Sequence, residues 1–348
     1  MSNVQLPVVV GLDNGGTSNN ATVLDSAGRF LTDRMVETPS RVHDGPVAAV
    51  TALAEAMDAA LASVALSRDA VLGVGLDSPG PASADGVISS KGSTNFSEPE
   101  WRGFDFRGAL QDRLGLPVVY HNDGNAASLY AHHTLFGAQA GERSSVAVVV
   151  GTGLGGGLVE NGRVISGAVG MAGELGHVHL PMTDLLETDQ PIPVCACGFV
   201  GDVESIASLT GIVRNLLPYW LSRYPDHPLA ALGPTVEAAK QVRGYGVAGD
   251  EMALRIFGQQ AAALGRLFTL AANFTDPHAY FLGGGVVEAT PEFGDWFLDE
   301  VRRHTRLRTE QAAVARFALV PDLDAAGARG VAIAAMTDLG GAAATPRG

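Results

Sequence analysis

Short apolar runs that end in glycine-rich turns set the pattern of this chain. Three valines at residues 8–10 lead into GLDNGGT, residues 146–150 lead into GTGLGGG, and AYFLGGGVV at 279–287 holds a third such run. Each reads as a buried strand closed by a loop. The first is followed by ATVLDSAGRFLTDRM, which predicts two strand-like runs joined by a turn at residues 26–28. The second is followed by LVENGRVISG, where Asn161-Gly162 signals a two-residue hairpin. Strand, glycine loop and hairpin thus occur twice. The repetition predicts two related domains, each opening with a loop able to hold phosphate.

The segments between alternate in period. Residues 47–63 are alanine-rich with helical spacing after Pro46, residues 71–76 read as a buried strand, and residues 110–114 belong to a helix that stops near Gly115. A strand at 118–120, a long helix over 252–273 and a last helix over 325–339 follow, with a loose tail from Gly340. Alternating strands and helices predict an α/β fold with a mainly parallel sheet.

Composition narrows the class. The chain has 348 residues, 46% of them apolar and 17% charged, which suits two globular domains. No apolar stretch reads as a membrane span, and the N-terminus lacks the basic region of a signal peptide. The expected setting is cytoplasmic, without a membrane partner. A net charge of −14 argues against nucleic acid as a partner, since tracking phosphates needs clustered cations. Lysine occurs only at Lys91 and Lys240.

Candidate chemistry sits at the ends of the predicted strands. In GLDNGGT, Gly15 and Gly16 let backbone amides approach an anion, Thr17 adds a hydroxyl, and Asp13 is suited to a hydrated Mg²⁺. None of the three glycine loops has the Gly-Lys-Ser/Thr of a Walker loop, yet three of them after apolar strands favour nucleotide binding. YHNDGN places Asp123 just after a strand, at the edge where open α/β sheets bind ligands. A carboxylate there can take a proton from a substrate hydroxyl, and Asn122 can orient a polyol. GELGHVH supplies Glu174, His177 and His179. The only cysteines, Cys195 and Cys197, are too close for an easy disulfide, and two thiols alone cannot close a four-ligand metal site. The two histidines before them and Asp202 after them supply further zinc ligand types.

The ordered motifs GLDNGGT, SPGP, WRG…L…LGLPVVYHNDGNAASL, GTGLGGG, GELGH, CACGFVGDVES and FLGGGVV resemble the ROK family of sugar kinases and sugar-responsive repressors over nearly the whole chain. The resemblance implies a two-lobed actin-like, ribonuclease H-like ATPase fold with an interdomain cleft. One lobe would take residues 1–121 with 323–348, the other residues 122–322. It implies ATP-dependent phosphorylation of a sugar hydroxyl, foremost the 6-hydroxyl of glucose or a related hexose. N-acetylhexosamines, mannose, fructose and cyclitols are the alternative substrates, and the rival classes are a repressor and a sugar-binding protein without catalysis. Repressor members carry an N-terminal helix-turn-helix, and the few residues before the first loop favour the kinase.

Carried over by residue, Asp123 is the implied general base, and Asn95, Asn122, Glu174, His177 and Glu204 the sugar-binding set. Asp13, Gly15, Gly16, Thr17, Gly151, Thr152, Gly153, Gly283, Gly284 and Gly285 would contact Mg-ATP, with polyphosphate the alternative donor. Members commonly bind a structural zinc through the histidine of the GH motif and three cysteines; here the third cysteine position is Asp202. Zinc held by His177, Cys195, Cys197 and Asp202 is the favoured expectation, with zinc using His179, or no zinc, as the alternatives. Members are often homodimers. Two departures from the family pattern are Ser18-Asn19-Asn20 after the first Gly-Gly-Thr, and Asp77 before Ser78-Pro79-Gly80.

Overall fold

The computed structural model describes residues 4–80, 82–89 and 95–342. Pro81 of the SPGP motif, Ser93 and Thr94 before Asn95, Lys91, and residues 343–348 of the expected tail lie outside them. The chain divides into two compact units. The first comprises Met1–Ala140, Gly162–Ala172 and Asp322–Gly348; the second comprises Gly141–Asn161 and Gly173–Pro321.

In the first unit, β1 (Val8–Asn14), β2 (Ser18–Asp25), β3 (Val36–Pro39), β4 (Val71–Ser78) and β5 (Val118–Asn122) form a sheet of order β3-β2-β1-β4-β5. The β1–β2 hairpin is antiparallel, while β4 and β5 add in parallel. The turn at residues 26–28 forms, closed by the Gly28 amide on Asp25 O, but the run beyond it contributes only the Leu24–Phe30 bridge before β3. The Arg29 guanidinium folds back on the Asp25 carboxylate across this turn.

Helix α1 (Pro46–Ser63) packs its alanines, Leu53 and Met57 into the core. Among the described residues it alone has the length and hydropathy of a membrane span, and 56% of it is buried inside the protein. The sequence pattern hid this because Glu55 and Asp58 interrupt the run. Helix α2 (Phe106–Leu114) starts at the Asp105 cap and stops at Gly115 in the left-handed conformation.

Helix α3 (Asp123–Phe136) belongs to the first unit, although the expected boundary at residue 122 put it in the other lobe. Its packing against the C-terminal helix Leu323–Ala342 accounts for the difference. Gly330 lets that helix approach so closely that a Cβ there would sit 1.9 Å from Ala126 O. The same helix lies on β1, where a Cβ on Gly11 would meet Ala328 O at 1.9 Å.

The second unit repeats the plan. β6 (Ser144–Val150), β7 (Leu154–Glu160), β9 (Ala279–Gly283) and β10 (Arg316–Leu319) form a sheet of order β10-β9-β6-β7, while the two-residue β8 (Arg163–Val164), next after β7 in the chain, falls in the Gly162–Ala172 segment of the first unit. β6 and β7 are antiparallel, while β6 with β9 and β9 with β10 are parallel. Read from its hairpin edge, this is the topology of the first sheet. Asn161 and Gly162 both have positive φ, as a type I′ turn requires. The long helix Glu251–Thr275, capped by Asp250, carries much of the second core, including Ile256, Phe257, Leu264 and Phe268. Helices Val236–Val247 and Pro291–His304 complete the layer.

Candidate functional site

The chemistry of the first unit gathers at the carboxyl ends of β1, β4 and β5. Register pairs Asp13 with Asp77 and Ser78 with Asn122. β5 then passes directly into α3, so Asp123 is the first residue of a helix. Asn122 caps it, Oδ1 accepting from the Asn125 amide at 2.9 Å, and Asp123 Oδ1 accepts from the Gly124 amide at 2.7 Å. The Asp123 side chain is exposed, whereas Asp77 is fully buried. Capping uses one lone pair of Asn122 Oδ1 and leaves its amide NH₂ to donate.

Asp13 accepts a hydrogen bond from Asn20 Nδ2 at 3.2 Å, which gives one member of the departing Ser-Asn-Asn stretch a definite part. Beyond Asp13, the Gly15 amide bonds Ser18 O at 2.9 Å and closes the hairpin loop. A Cβ on Gly16 would stand 3.0 Å from Asn95 Oδ1, which puts Asn95 beside the glycine loop. Thr17 O accepts from the Ser40 amide.

Under Asp13 and Asp77 lies Gly327 of the C-terminal helix. A Cβ there would be 2.6 Å from Asp77 Oδ2 and 3.0 Å from Asp13 Cγ. Neither Asp77 carboxyl oxygen has a geometrically sound hydrogen-bond partner. Burial, then the neighbouring carboxylates of Asp13 and Asp123, hold the Asp77 carboxyl well above the ordinary carboxylate range. Burial also raises Asp13, opposed chiefly by the hydrogen bond from Asn20. Both carboxyls are thus pushed towards the protonated form, Asp77 the more strongly.

In the second unit, the parallel pairing of β6 with β9 brings two glycine loops side by side. Gly284 has φ +100°, and a Cβ there would fall 2.1 Å from Val150 O, so only glycine fits. Gly151 O accepts from the Leu209 amide and Thr152 O from the Thr210 amide and hydroxyl. Gly153 passes under Glu204: a Cβ there would meet Glu204 Oε2 at 2.7 Å, and the same oxygen accepts from the Leu154 amide at 2.9 Å.

A cavity of about 370 Å³ opens against these loops. Its walls are Val150, Leu209, Ile212, Phe257 and Val286, with Gly151, Thr152 and Gly285 on the loop side and Lys240, Arg243 and Gln260 as its long polar side chains. Sequence reasoning missed those three, which stand on helices without a motif. The one available signal was the scarcity of lysine, since Lys240 is one of only two.

Near Glu204, a β-turn over residues 195–198, closed by the Gly198 amide on Cys195 O, presents both thiols to His177. Their sulfurs lie 4.0 Å (Cys195) and 3.7 Å (Cys197) from His177 Nδ1, and Asp202 Oδ2 lies 3.1 Å from the same nitrogen. All four ligand atoms fall within 4.8 Å of one another. Two sulfurs, an imidazole nitrogen and a carboxylate oxygen at that spacing fit a tetrahedral zinc, with bonds of about 2.0–2.3 Å. Both cysteines are free thiols, and burial pushes the Cys195 thiol well up.

The cluster does not take in His179, which packs against Phe199. Cys195 Sγ also reaches Glu204 Oε1 at 3.4 Å, so the cluster and Glu204 are mechanically linked. Glu174 is exposed at the start of the turn Leu175–His177. The expected sugar set is thus divided: Asn95, Asn122 and Asp123 belong to the first unit, and Glu174, His177 and Glu204 to the second.

Comparison with known proteins adds to this geometry. The profile described as the ROK family matches residues 9–338. A glucokinase of Halalkalibacterium halodurans is 34% identical over 298 residues, covering 85% of this chain and 84% of that protein. The crystal structure of a ROK hexokinase from Thermus thermophilus superposes with a TM-score of 0.75 at 30% identity, covering 96% of this chain and 99% of that one. A ROK family glucokinase from Streptomyces griseus, in complex with glucose and AMPPNP, gives a TM-score of 0.63 at 26% identity, covering 93% and 98%. The two-lobed actin-like fold is shared with these structures.

Proposed function

The chain belongs to the ROK family, and from that premise we propose that it is an ATP-dependent sugar kinase that phosphorylates a hydroxyl of glucose or a related hexose, foremost the 6-hydroxyl. The observation that carries this reading is the position of Asp123, an exposed carboxylate at the carboxyl edge of β5 in the same unit as Asp13 and its glycine hairpin. Asp123 takes the proton of the attacking hydroxyl. The oxygen–phosphorus bond forms as the bond from the γ-phosphorus to the β,γ-bridging oxygen breaks, and ADP leaves. Mg²⁺, when bound, would neutralise charge on the phosphates, and Asp13, at the carboxyl end of β1, is the residue suited to hold its hydrated form.

The loops at Gly15–Gly16, Gly151–Gly153 and Gly283–Gly285 let backbone approach the phosphate chain without the bulk of side chains, the Gly15 and Gly151 amides themselves holding the loops closed on Ser18 O and Gly153 O. In the second unit Lys240 and Arg243 give the loop-lined cavity the positive charge a polyanionic donor needs. Asn95, Asn122, Glu174, His177 and Glu204 are the proposed sugar contacts. Zinc at His177, Cys195, Cys197 and Asp202 would be structural, fixing His177 and, through Cys195, the Glu204 carboxylate. A cytoplasmic setting, where ATP and reduced thiols coexist, goes with this reading.

The test is ADP release with Mg-ATP across glucose, mannose, fructose, N-acetylhexosamines and cyclitols. The expected result is turnover on glucose or one close hexose. Silence on every acceptor, with a sugar still raising the melting temperature, would replace the kinase by a binding protein. Turnover with polyphosphate alone would replace the donor.

A further inference from the structure

The cavity beside the glycine loops contains a polar group whose bonding is incomplete. Gln260, on the helix Glu251–Thr275, is 1% exposed. Its Nε2 donates to two backbone carbonyls, Ile206 O at 3.2 Å and Ala207 O at 2.9 Å. These bonds fix the amide. Turning it over would set Oε1 against two carbonyl oxygens, so the orientation follows from the network. Oε1 is buried and has no hydrogen-bond partner. A buried acceptor left unpaired is costly, and buried polar side-chain atoms normally find a partner.

The surroundings indicate what completes it. Ile212, Phe257 and Val286 supply apolar and aromatic surface suited to a flat ring, and the glycine loops with Lys240 and Arg243 supply the anion-binding side. Lys240 and Arg243 stand one turn apart on the helix Val236–Val247, and the Arg243 guanidinium donates to Gly285 O, which ties it to the third loop. A ligand with an aromatic base at one end and phosphates at the other fits this division. With its NH₂ group engaged, Gln260 can give such a base only an acceptor.

We propose that Gln260 reads the base of the phosphoryl donor: its Oε1 accepts a hydrogen bond from the exocyclic amino group of a 6-aminopurine, so the enzyme selects adenine nucleotides over 6-oxopurine nucleotides. The proposal rests on the nucleotide-donor reading above and adds the residue that discriminates among donors. A 6-oxo group would face the Gln260 oxygen with another acceptor, and a base without a 6-substituent would leave that oxygen unpaired. Sites built around a specific hydrogen bond reject analogues lacking it far more strongly than apolar pockets reject a change of size.

The experiment is calorimetric binding of ADP, IDP, GDP and purine riboside diphosphate to the wild-type protein and to Gln260→Met, paired with kcat/KM for the corresponding triphosphates. Wild-type protein is expected to bind ADP on the order of 10- to 100-fold more tightly than the other three. Gln260→Met should narrow that gap to within about threefold by weakening ADP alone, with KM for the sugar unchanged. Equal wild-type affinity for ADP and IDP overturns the assignment by itself, whether or not the variant folds. A folded Gln260→Met that keeps the full preference for ADP also overturns it. Failure of every nucleotide to bind, with sugar phosphorylated from polyphosphate, overturns the donor reading and this inference together.

Discussion

Asp13 and Asp77 face each other on adjacent parallel strands, with Gly327 beneath both and Asn20 bonded to only the first. Burial raises both carboxyls, and Asp77, without the bond from Asn20, is the one pushed well up. Asp77 binds its proton more tightly in the folded protein than in the unfolded chain, where a carboxyl releases it near pH 3.9. The stabilisation from this group is therefore complete below about pH 4 and is lost as pH rises through the elevated folded value. Asp77→Asn keeps the donor and removes the charge. In metal-free buffer it should raise stability at pH 8 by about 1–3 kcal/mol and change little at pH 4.5. Urea unfolding at the two pH values checks this, and a pH-independent difference would contradict it.

Asp123→Asn preserves the bond from the Gly124 amide that seats the first residue of α3, because an amide oxygen accepts it as well. The melting temperature should stay close to that of the parent, while kcat falls by about a hundred- to ten-thousandfold. ADP release and a thermal melt on the same sample decide the point. Full activity in this variant would remove Asp123 from the proposed chemistry.

The cysteine turn makes a prediction about metal content. Protein purified without chelator should hold about one zinc per chain by atomic emission. Asp202→Asn retains the amide oxygen that caps Ser205 but offers a weaker ligand, and should lower zinc affinity by at least about a hundredfold. Cys197→Ser should do the same. Binding should release protons, since burial holds the Cys195 thiol protonated without metal. Zinc content unaffected by both variants would exclude this cluster as the site.

Gly284→Ala tests the close approach of the two loops in the second unit. The new methyl would stand 2.1 Å from Val150 O in a left-handed conformation that alanine resists. A loss of about 3 kcal/mol or more in urea unfolding is expected, with ADP binding abolished. Gly258→Ala, where a Cβ meets nothing within 4 Å, is the control and should be neutral or slightly stabilising.

Much of this was legible in the chain. Strands β1, β4, β5, β6 and β9 are short valine- and leucine-rich runs stopped by glycine or a polar turn, so their ends, where the chemistry sits, could be read. The Asn161-Gly162 hairpin was readable for the same reason: few residues adopt its two positive φ angles. The gathering of His177, Cys195, Cys197 and Asp202 was expected from the family pattern rather than from spacing. Gln260, Lys240 and Arg243 were not legible. Each lies mid-helix, where local sequence records a turn of helix and not the cavity wall that tertiary packing makes of it. The membership of α3 was not legible either, because it depends on contact with a segment some two hundred residues later in sequence.

That late segment has a consequence for how the protein is made. The stretch that covers β1 is Leu323–Ala342, made only after the whole of the second unit. Until it emerges, the nascent first sheet keeps one apolar face open to water, although its strands have long been synthesised. The second unit is encoded within residues 141–321 and can close earlier. Translation order and folding order are then reversed for this protein, and a ribosome stalled shortly before residue 323 would hold a finished second unit beside an unfinished first one, a natural client for chaperones.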